Sequence, residues 1–476
     1  MAEDFSDLLN SAMDCIGYSK RSIVSRADVL NRYFEISSKT CLESVGIEML
    51  LAGSKSEGVV PFLASDYDLM LVFKRCVCVD VGCHEDGIVI IETYNRDCPP
   101  GYTKLRPLNI EKIGSSEYLQ LCTVYDISTG VILLKSSNFQ QFLSLCSEAL
   151  SFYEGLQRKD VVLSGPAISV TIQPNLVKGV KSASIYGDQV PALPFYSSSF
   201  LQEWTERERI FGWPSPDVIQ DVSTSEGYVV PVGHKLSEEQ NFEWRICYTT
   251  AERKLVSSLS EVQLKLYILL KLVNGDIIKP KVDCVSSYII KNIIFWTAEW
   301  SPTYDFTPSN LTHMLLQCLR FLLHCLCNNC LPNYMIPSRN LFLGKIKSEQ
   351  KPQLKSVLQE LLNEGEKIVL RCDKLRNAMY IMHNDRSIAT RFRLWRDEVE
   401  ELFLIVNLKM VSKLKPNMVY QHSFLYDILF EFWKDESYLT EVFRLINLLS
   451  VDLPVILTKG TQGMEDVGTW MNKLLS

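Results

Sequence analysis

The sequence predicts an α+β fold, with a mixed β-sheet in its first half and helices through its second. Three observations carry this expectation. Valine, isoleucine and threonine concentrate between residues 87 and 193 in short segments bounded by Gly or Pro. From about Trp244 onward, apolar residues recur at helical spacing. A long amphipathic segment precedes both regions.

That first segment places Ile23, Ala27, Leu30 and Phe34 on one helical face, surrounded by Lys20, Arg21, Arg26 and Arg32, and is expected to end near Ser38. A second helical segment is read as ending at Met49-Leu50-Leu51, where Gly53 breaks it before an extended run from Ser65 to Phe73. Strands are expected at Gly87 to Tyr94, Leu119 to Tyr125, Val161 to Ile172 and Asp188 to Leu193. Helical periodicity then runs through Leu255, Leu259, Val262, Leu266, Leu269 and Leu270, and again through Trp296, Leu315, Leu319, Leu322 and Leu323. The polar, proline-bearing run Lys345 to Pro352 reads as a linker, and Leu354, Leu358, Leu361 and Leu362 open a further helical part. The expected outcome is a bilobal molecule divided at residues 1–240, 241–345 and 346–476.

Composition narrows the function classes. With 47% hydrophobic and 22% charged residues, the 476-residue chain can bury a large core and does not carry the signature of disorder. Its 49 basic and 56 acidic residues give a net charge of -7, so any nucleic-acid contact needs a local basic patch. The acidic N-terminus lacks a signal-peptide pattern, and the most apolar stretch, Met314 to Leu326, is too short to span a bilayer. Fifteen cysteines, an odd number, read as reduced thiols. A cytoplasmic protein with no membrane partner is the expectation.

The chemistry concentrates in Ser65-Asp66-Tyr67-Asp68-Leu69-Met70-Leu71-Val72-Phe73. In a strand, residues two apart share a face, so Asp66 and Asp68 point the same way, roughly 6 to 7 Å apart at the backbone, while Tyr67, Leu69 and Leu71 face a core behind them. Such a pair suits one or two hard divalent cations, Mg²⁺ or Mn²⁺, as two-metal nucleotidyl transfer requires. Upstream, Gly53-Ser54 supplies a tight turn whose amides and hydroxyl can cradle phosphate. An isolated D-x-D pair also occurs on ordinary surface strands, and the Gly-Ser turn is what makes this one a candidate.

These residues resemble the active-site motif of the cyclic GMP-AMP synthase-like receptors, in the Mab-type nucleotidyltransferase superfamily. Beyond Gly53-Ser54 and Asp66-Tyr67-Asp68-Leu69-Met70, the resemblance extends through Phe242-Glu243-Trp244-Arg245-Ile246-Cys247-Tyr248-Thr249-Thr250-Ala251-Glu252. It continues in Ser286-Ser287-Tyr288-Ile289-Ile290-Lys291 with Phe295-Trp296, in Gln317-Cys318-Leu319-Arg320, and in Asn333-Tyr334-Met335-Ile336-Pro337. It covers about residues 10 to 345. It implies a nucleotidyltransferase core, a helical Mab-type lobe and an active-site cleft between them. By the same resemblance Asp188, following Gly165-Pro166-Ala167, is the third metal ligand, and Ser54 binds phosphate. Arg245 and Glu252 contact the acceptor nucleotide, and Lys271, Ser287, Tyr288 and Lys291 hold the donor. The residue types suit those roles: a forked guanidinium, an aromatic face and a point charge for triphosphate.

The resemblance implies ATP, GTP or other nucleoside triphosphates as substrates, a cyclic dinucleotide such as cGAMP as product, and a place in innate immune, antiviral signalling. One departure bears on the trigger. Where vertebrate cyclic GMP-AMP synthase inserts a zinc-binding His and Cys thumb that docks DNA, Arg253-Lys254-Leu255-Val256-Ser257-Ser258-Leu259 runs straight on. No structural zinc is expected, either there or at Cys76, Cys78, Cys83 and His84, or at His324, Cys325, Cys327 and Cys330. The thumbless relatives favour double-stranded RNA over double-stranded DNA as activator, with Lys20, Arg21, Arg26 and Arg32 as its contacts; these four also suit a plain solvated helix face. An inactive Mab-type scaffold and a linear-oligonucleotide synthetase are the alternative functions.

Overall fold

The computed structural model describes residues 4–61, 66–80, 88–94, 97–109, 112, 117–126, 130–149, 156–174, 185–196, 198–413 and 435–449. The fold is α+β. Helix α1 (Phe5–Cys15) leads into α2 (Lys20–Cys41), whose start is fixed by the Ser19 hydroxyl accepting from the Ser22 amide. The chain then enters the sheet through β1 (Ile47–Ala52) and β2 (Tyr67–Phe73). Met49-Leu50-Leu51 is therefore strand, not the end of a helix. A short apolar run cannot be assigned by periodicity alone; pairing with β2, from Ile47 opposite Phe73 to Ala52 opposite Asp68, decides it.

Further strands are β3 (Cys76–Val79), β4 (Val89–Tyr94), β5 (Tyr102–Pro107), β6 (Leu156–Ser164), β7 (Ala167–Pro174), β8 (Ile185–Tyr196), β9 (Gly227–Val230) and β10 (Trp244–Cys247). Among the described residues they form one ten-stranded sheet in the order β1-β2-β8-β9-β10-β5-β4-β3, with β7 on the other side of β8 and β6 beyond it. The 12-residue β8 organises it. Its first half lies parallel to β2, and its last two residues lie parallel to β3. The expected strand from Leu119 to Tyr125 is split: Glu117–Cys122 is helical, and Thr123–Asp126 pairs with Val131–Leu134.

The unbroken run of helices begins at Thr249, because Trp244–Cys247 is consumed by the sheet, paired with both β9 and β5; the helices Ser136–Ala149, Ser198–Glu206 and Pro216–Ser223 lie before it, among the strands. The run comprises α3 (Thr249–Ser258), α4 (Glu261–Val273), α5 (Ser287–Trp300), α6 (Leu311–Cys327), α7 (Gln350–Glu364), α8 (Asp373–Asn384), α9 (Arg386–Ser412) and α10 (Glu436–Leu449). A reciprocal cap between Ser260 and Gln263 starts α4. One continuous apolar core contains Phe73, Ile91 and Trp244 from the sheet together with Leu266, Ile293, Leu319, Leu358 and Met379 from the helices. The run Lys345 to Pro352 is not a free linker: Ile346 is buried in that core, and α7 starts at Gln350 and buries Leu354, Leu358 and Leu361. No helix among the described residues is long and apolar enough to cross a membrane.

Candidate active site

Strand register builds the acidic centre. Ala52 of β1 lies opposite Asp68 of β2, Asp68 lies beside Asp188 of β8, and Asp188 lies opposite Ser169 of β7. Adjacent strands run about 4.8 Å apart, so Asp68 and Asp188 share one row across the sheet. Asp66 lies two residues before Asp68, and both are solvent-accessible. Tyr67 between them takes the opposite face, tilted against Phe34 of α2 with ring centroids 5.4 Å apart, and carries the Lys55 ammonium 3.5 Å from its ring centroid. The strand begins at Tyr67, so Tyr67 and Asp68 alternate within it and Asp66 precedes it.

Gly53 follows Ala52 directly, with φ +64, and a Cβ placed there would lie 2.0 Å from Asp68 Oδ2. A glycine is needed here both for its backbone conformation and for the room it leaves the carboxylate. Gly53→Ala is expected to displace the Asp68 carboxylate and weaken divalent-cation binding, read by Mn²⁺ titration; unchanged affinity would show that the close approach is unimportant.

Burial and like charge meet in this row. Asp68 is pushed up to about 6, first by the protein packed behind it and then by the charge of Asp188, with Lys291 and Lys271 opposing and Asp66 adding to the rise. Asp188 is steadied by the Ser169 hydroxyl, which donates to its Oδ1 at 2.5 Å. Two carboxylates side by side repel, and a hard divalent cation is the partner that relieves them. Asp66, Asp68 and Asp188 carry the kind of oxygen atoms that Mg²⁺ or Mn²⁺ prefers, but among the described residues no three His, Cys, Asp or Glu side chains are gathered closely enough to hold an ion as they stand.

Beside the acidic row, the Gly53–Ser56 turn meets the helices. Lys271 of α4 donates to the Ser54 hydroxyl. Burial pushes Lys271 down to about 8, with Glu57 raising it, Lys291 lowering it and Asp68 raising it. Ser287 is exposed in the first turn of α5, where the helix presents unpaired amides. Ser54, Lys271 and Ser287 can thus meet a phosphate directly.

Lys291, Tyr288 and Glu252 are held differently. Lys291 bridges Glu57 at 2.6 Å and Glu252 at 3.2 Å. Tyr288 donates to Glu252 Oε1 at 2.8 Å and accepts from Asn333 at 2.8 Å. Glu252 is only 7% exposed with both oxygens engaged, so it positions Tyr288 and Lys291 and does not itself present a free carboxylate. Glu57, a buried member of this network that also accepts from Tyr267 at 3.0 Å, escaped sequence reasoning. Its signal was present: a carboxylate three residues after the Gly-Ser turn. Arg245 of β10 is half-buried opposite Tyr102 of β5.

Residues 252–375 match the Mab-21 protein HhH/H2TH-like domain. The match supports the Mab-21 and cyclic GMP-AMP synthase-like nucleotidyltransferase superfamily, and at that coarse level a transferase. It spans about a quarter of the chain. This Mab-21-like segment begins at Glu252 and contains Lys271, Ser287, Tyr288 and Lys291, whereas the acidic row, Gly53-Ser54 and Arg245 lie before it.

The basic face of α2 is largely engaged by the chain itself. Arg26 is wholly buried: it pairs with Glu400 of α9 at 3.0 Å and donates to the carbonyls of Gly58 at 2.9 Å and Gly17 at 2.8 Å. It is an internal strut and does not present its guanidinium to solvent. Arg21 pairs with Glu401 of the same helix at 3.5 Å, and Lys20 reaches the Leu259 carbonyl at 3.4 Å, yet both remain exposed, as does Arg32. Among the cysteines, Cys76 and Cys78 are buried strand thiols, and burial pushes Cys76 up to about 12. Cys83 and His84 lie outside the described residues. Cys325 is buried and likewise pushed to about 12, while Cys327 and Cys330 are exposed and His324 engages Asn328.

Proposed function

We propose that this chain is a metal-dependent nucleotidyltransferase that joins two nucleoside triphosphates, such as ATP and GTP, into a cyclic dinucleotide second messenger of innate immune signalling, working in the cytoplasm. The observation that carries the reading is the single row of Asp68 and Asp188 across β2 and β8, with Asp66 two residues before and Gly53 leaving space for the carboxylate. Asp66, Asp68 and Asp188 would hold Mg²⁺ or Mn²⁺, whose chemistry is to neutralise triphosphate charge and acidify an attacking hydroxyl. Ser54 and Lys271 bind the donor phosphates, Ser287 adds a helix N-terminus, and Tyr288, fixed by Glu252 and Asn333, presents its ring to Lys291. Asp188, with Ser169 orienting it, is placed to draw the proton from the acceptor hydroxyl.

Activation by double-stranded RNA enters in a restricted form. Lys20, Arg21 and Arg32 remain exposed for phosphate contact, whereas Arg26 is committed to the interior. Reversing Arg32 therefore tests a duplex contact, while reversing Arg26 tests folding.

The test is turnover of the four labelled nucleoside triphosphates with Mg²⁺ or Mn²⁺, with no ligand, double-stranded DNA or double-stranded RNA. A phosphatase-resistant product supports a cyclic dinucleotide, and a phosphatase-sensitive ladder indicates a linear-oligonucleotide synthetase. Bound nucleotide with no product in any arm indicates an inactive scaffold. A second result concerns pH. Lys271 carries its charge below about 8 and loses it as pH rises, so binding of a non-hydrolysable triphosphate is expected to weaken several-fold above that pH. Lys271→Arg, which stays charged, is expected to remove the decline; a wild-type profile flat through pH 9 would exclude Lys271 as a phosphate ligand.

A further inference from the structure

The described cysteines are buried or half-buried almost throughout; only Cys327 and Cys330 are exposed. Both lie at the end of α6, after the buried Cys325. The backbone there makes a defined stop. The Cys330 amide donates to the Cys325 carbonyl at 3.0 Å, the Asn329 amide donates to the Leu326 carbonyl at 3.2 Å, and Asn329 takes a positive φ of 51°. Two such bonds around a left-handed residue form the Schellman closure of a helix, in which the side chain just past the left-handed residue packs back onto the one five positions earlier. In this chain both of those side chains are thiols, Cys330 and Cys325.

The proximity shows in the electrostatics of the pair. Burial pushes the Cys325 thiol up to about 12, and the charge of Cys330 adds to the rise. Cys327 projects from another side of the helix, because each residue turns the chain by about 100° and two residues separate it from Cys325. The turn is pinned on both sides of Cys330. The Asn340 side chain donates to the Asn329 carbonyl at 2.8 Å and accepts from the Leu331 amide at 3.1 Å. The chain that follows reaches the candidate site: the Trp296 indole donates to the Pro332 carbonyl at 2.9 Å, and the Asn333 side chain donates to the Tyr288 hydroxyl at 2.8 Å. The proposed transfer uses no thiol, so this pair is outside its machinery.

A helix stop that brings an exposed thiol onto a buried one makes a pair that can cross-link. We propose that Cys330 and Cys325 are a reversible redox modification site, closed to a disulfide when the chain meets a low-molecular-weight disulfide such as oxidised glutathione. Cys330 loses its proton and attacks one glutathione sulfur; a mixed disulfide forms and one glutathione leaves. Cys325 then gives its proton to solvent and attacks the Cys330 sulfur, releasing the second glutathione. The cysteine pair gives up two electrons and the glutathione disulfide accepts them. The order follows from access, since Cys325 is 3% exposed and cannot meet the oxidant first. The second step is intramolecular, and proximity offsets the low thiolate fraction of Cys325. In a reducing compartment such a bond is transient, as in redox-sensing thiols. Once closed, it ties the end of α6 to the segment that carries Asn333 to Tyr288.

The test is incubation of the reduced full chain with oxidised glutathione, alkylation of the remaining thiols, and mass analysis of the tryptic segment Phe321 to Arg339, which carries all three cysteines. Wild type and Cys327→Ser are each expected to lose two hydrogens from this segment, and dithiothreitol to restore them. Cys330→Ser, a change at an exposed position, is expected to form no internal bond. Cys325→Ala combined with Cys327→Ser is expected to keep glutathione on Cys330, and circular dichroism checks that it folds. Closure is also expected to raise the thermal midpoint of wild type by several degrees, because the bond joins side chains already in contact and restrains the unfolded chain; Cys330→Ser is expected to show no such rise. A bond that forms without Cys330, or that requires Cys327, would overturn the proposal. So would glutathione that stays on wild-type Cys330, thiols that remain fully alkylated, or a midpoint that falls on closure. The readout involves no nucleotide, so it stands apart from the transferase reading.

Discussion

Asp68→Asn is expected to lower nucleotidyl transfer by roughly a thousandfold or more while leaving the protein folded. Losing one anionic ligand removes several kcal/mol of the charge stabilisation that a bound cation supplies, and each 1.4 kcal/mol is about tenfold in rate. Stability is expected to move the other way. The carboxyl at position 68 is pushed up by its surroundings and by Asp188, so replacing it with a neutral amide of the same shape removes a repulsion. The thermal midpoint of Asp68→Asn is therefore expected at or above that of wild type. Activity within tenfold of wild type would remove Asp68 from the chemistry, and a large fall in midpoint would recast it as a structural group.

Glu400→Gln is expected to destabilise the fold by about 3–5 kcal/mol, with little direct effect on the acidic row. Glu400 serves two buried guanidiniums at once: Arg26 at 3.0 and 3.2 Å, and Arg396 at 2.9 Å. Neutralising it leaves Arg26 buried with no carboxylate among the described residues and leaves Arg396 with Asp397 alone. Arg26→Met is expected to cost less, because Glu400 keeps Arg396. Arg26 also donates to the Gly58 carbonyl, in the segment that continues from the Gly53-Ser54 turn, so the strut ties α9 to the backbone next to the candidate phosphate site. Urea denaturation of the two variants checks the order: Arg26→Met as damaging as Glu400→Gln would contradict the shared-partner account.

Much of this site was legible because its signals are local. The Asp66 and Asp68 pair was picked out by the two-residue strand period alone, and Tyr67 between them packs on α2. Helix α2 was readable from Ile23, Ala27, Leu30 and Phe34, and it runs from Lys20 to Cys41. The roles of Arg26 and Glu57 were not legible, because the partners that define them lie far along the chain: Glu400 for Arg26, and Lys291 and Tyr267 for Glu57. A basic helix face has the same sequence pattern whether it meets a duplex or an acidic helix of its own chain. The same reason explains Met49-Leu50-Leu51 and Trp244–Cys247, whose strand character comes from pairing partners and not from their own spacing.

Asp66, Asp68 and Asp188 are proposed to hold a divalent cation together. Titration of the purified chain with Mn²⁺, followed by the loss of the free-ion paramagnetic resonance signal, tests it without requiring a substrate or an activator. Saturable binding to wild type is expected to be lost, or weakened by roughly tenfold or more, in both Asp68→Asn and Asp188→Asn. Binding to those two variants that matches wild type would contradict it.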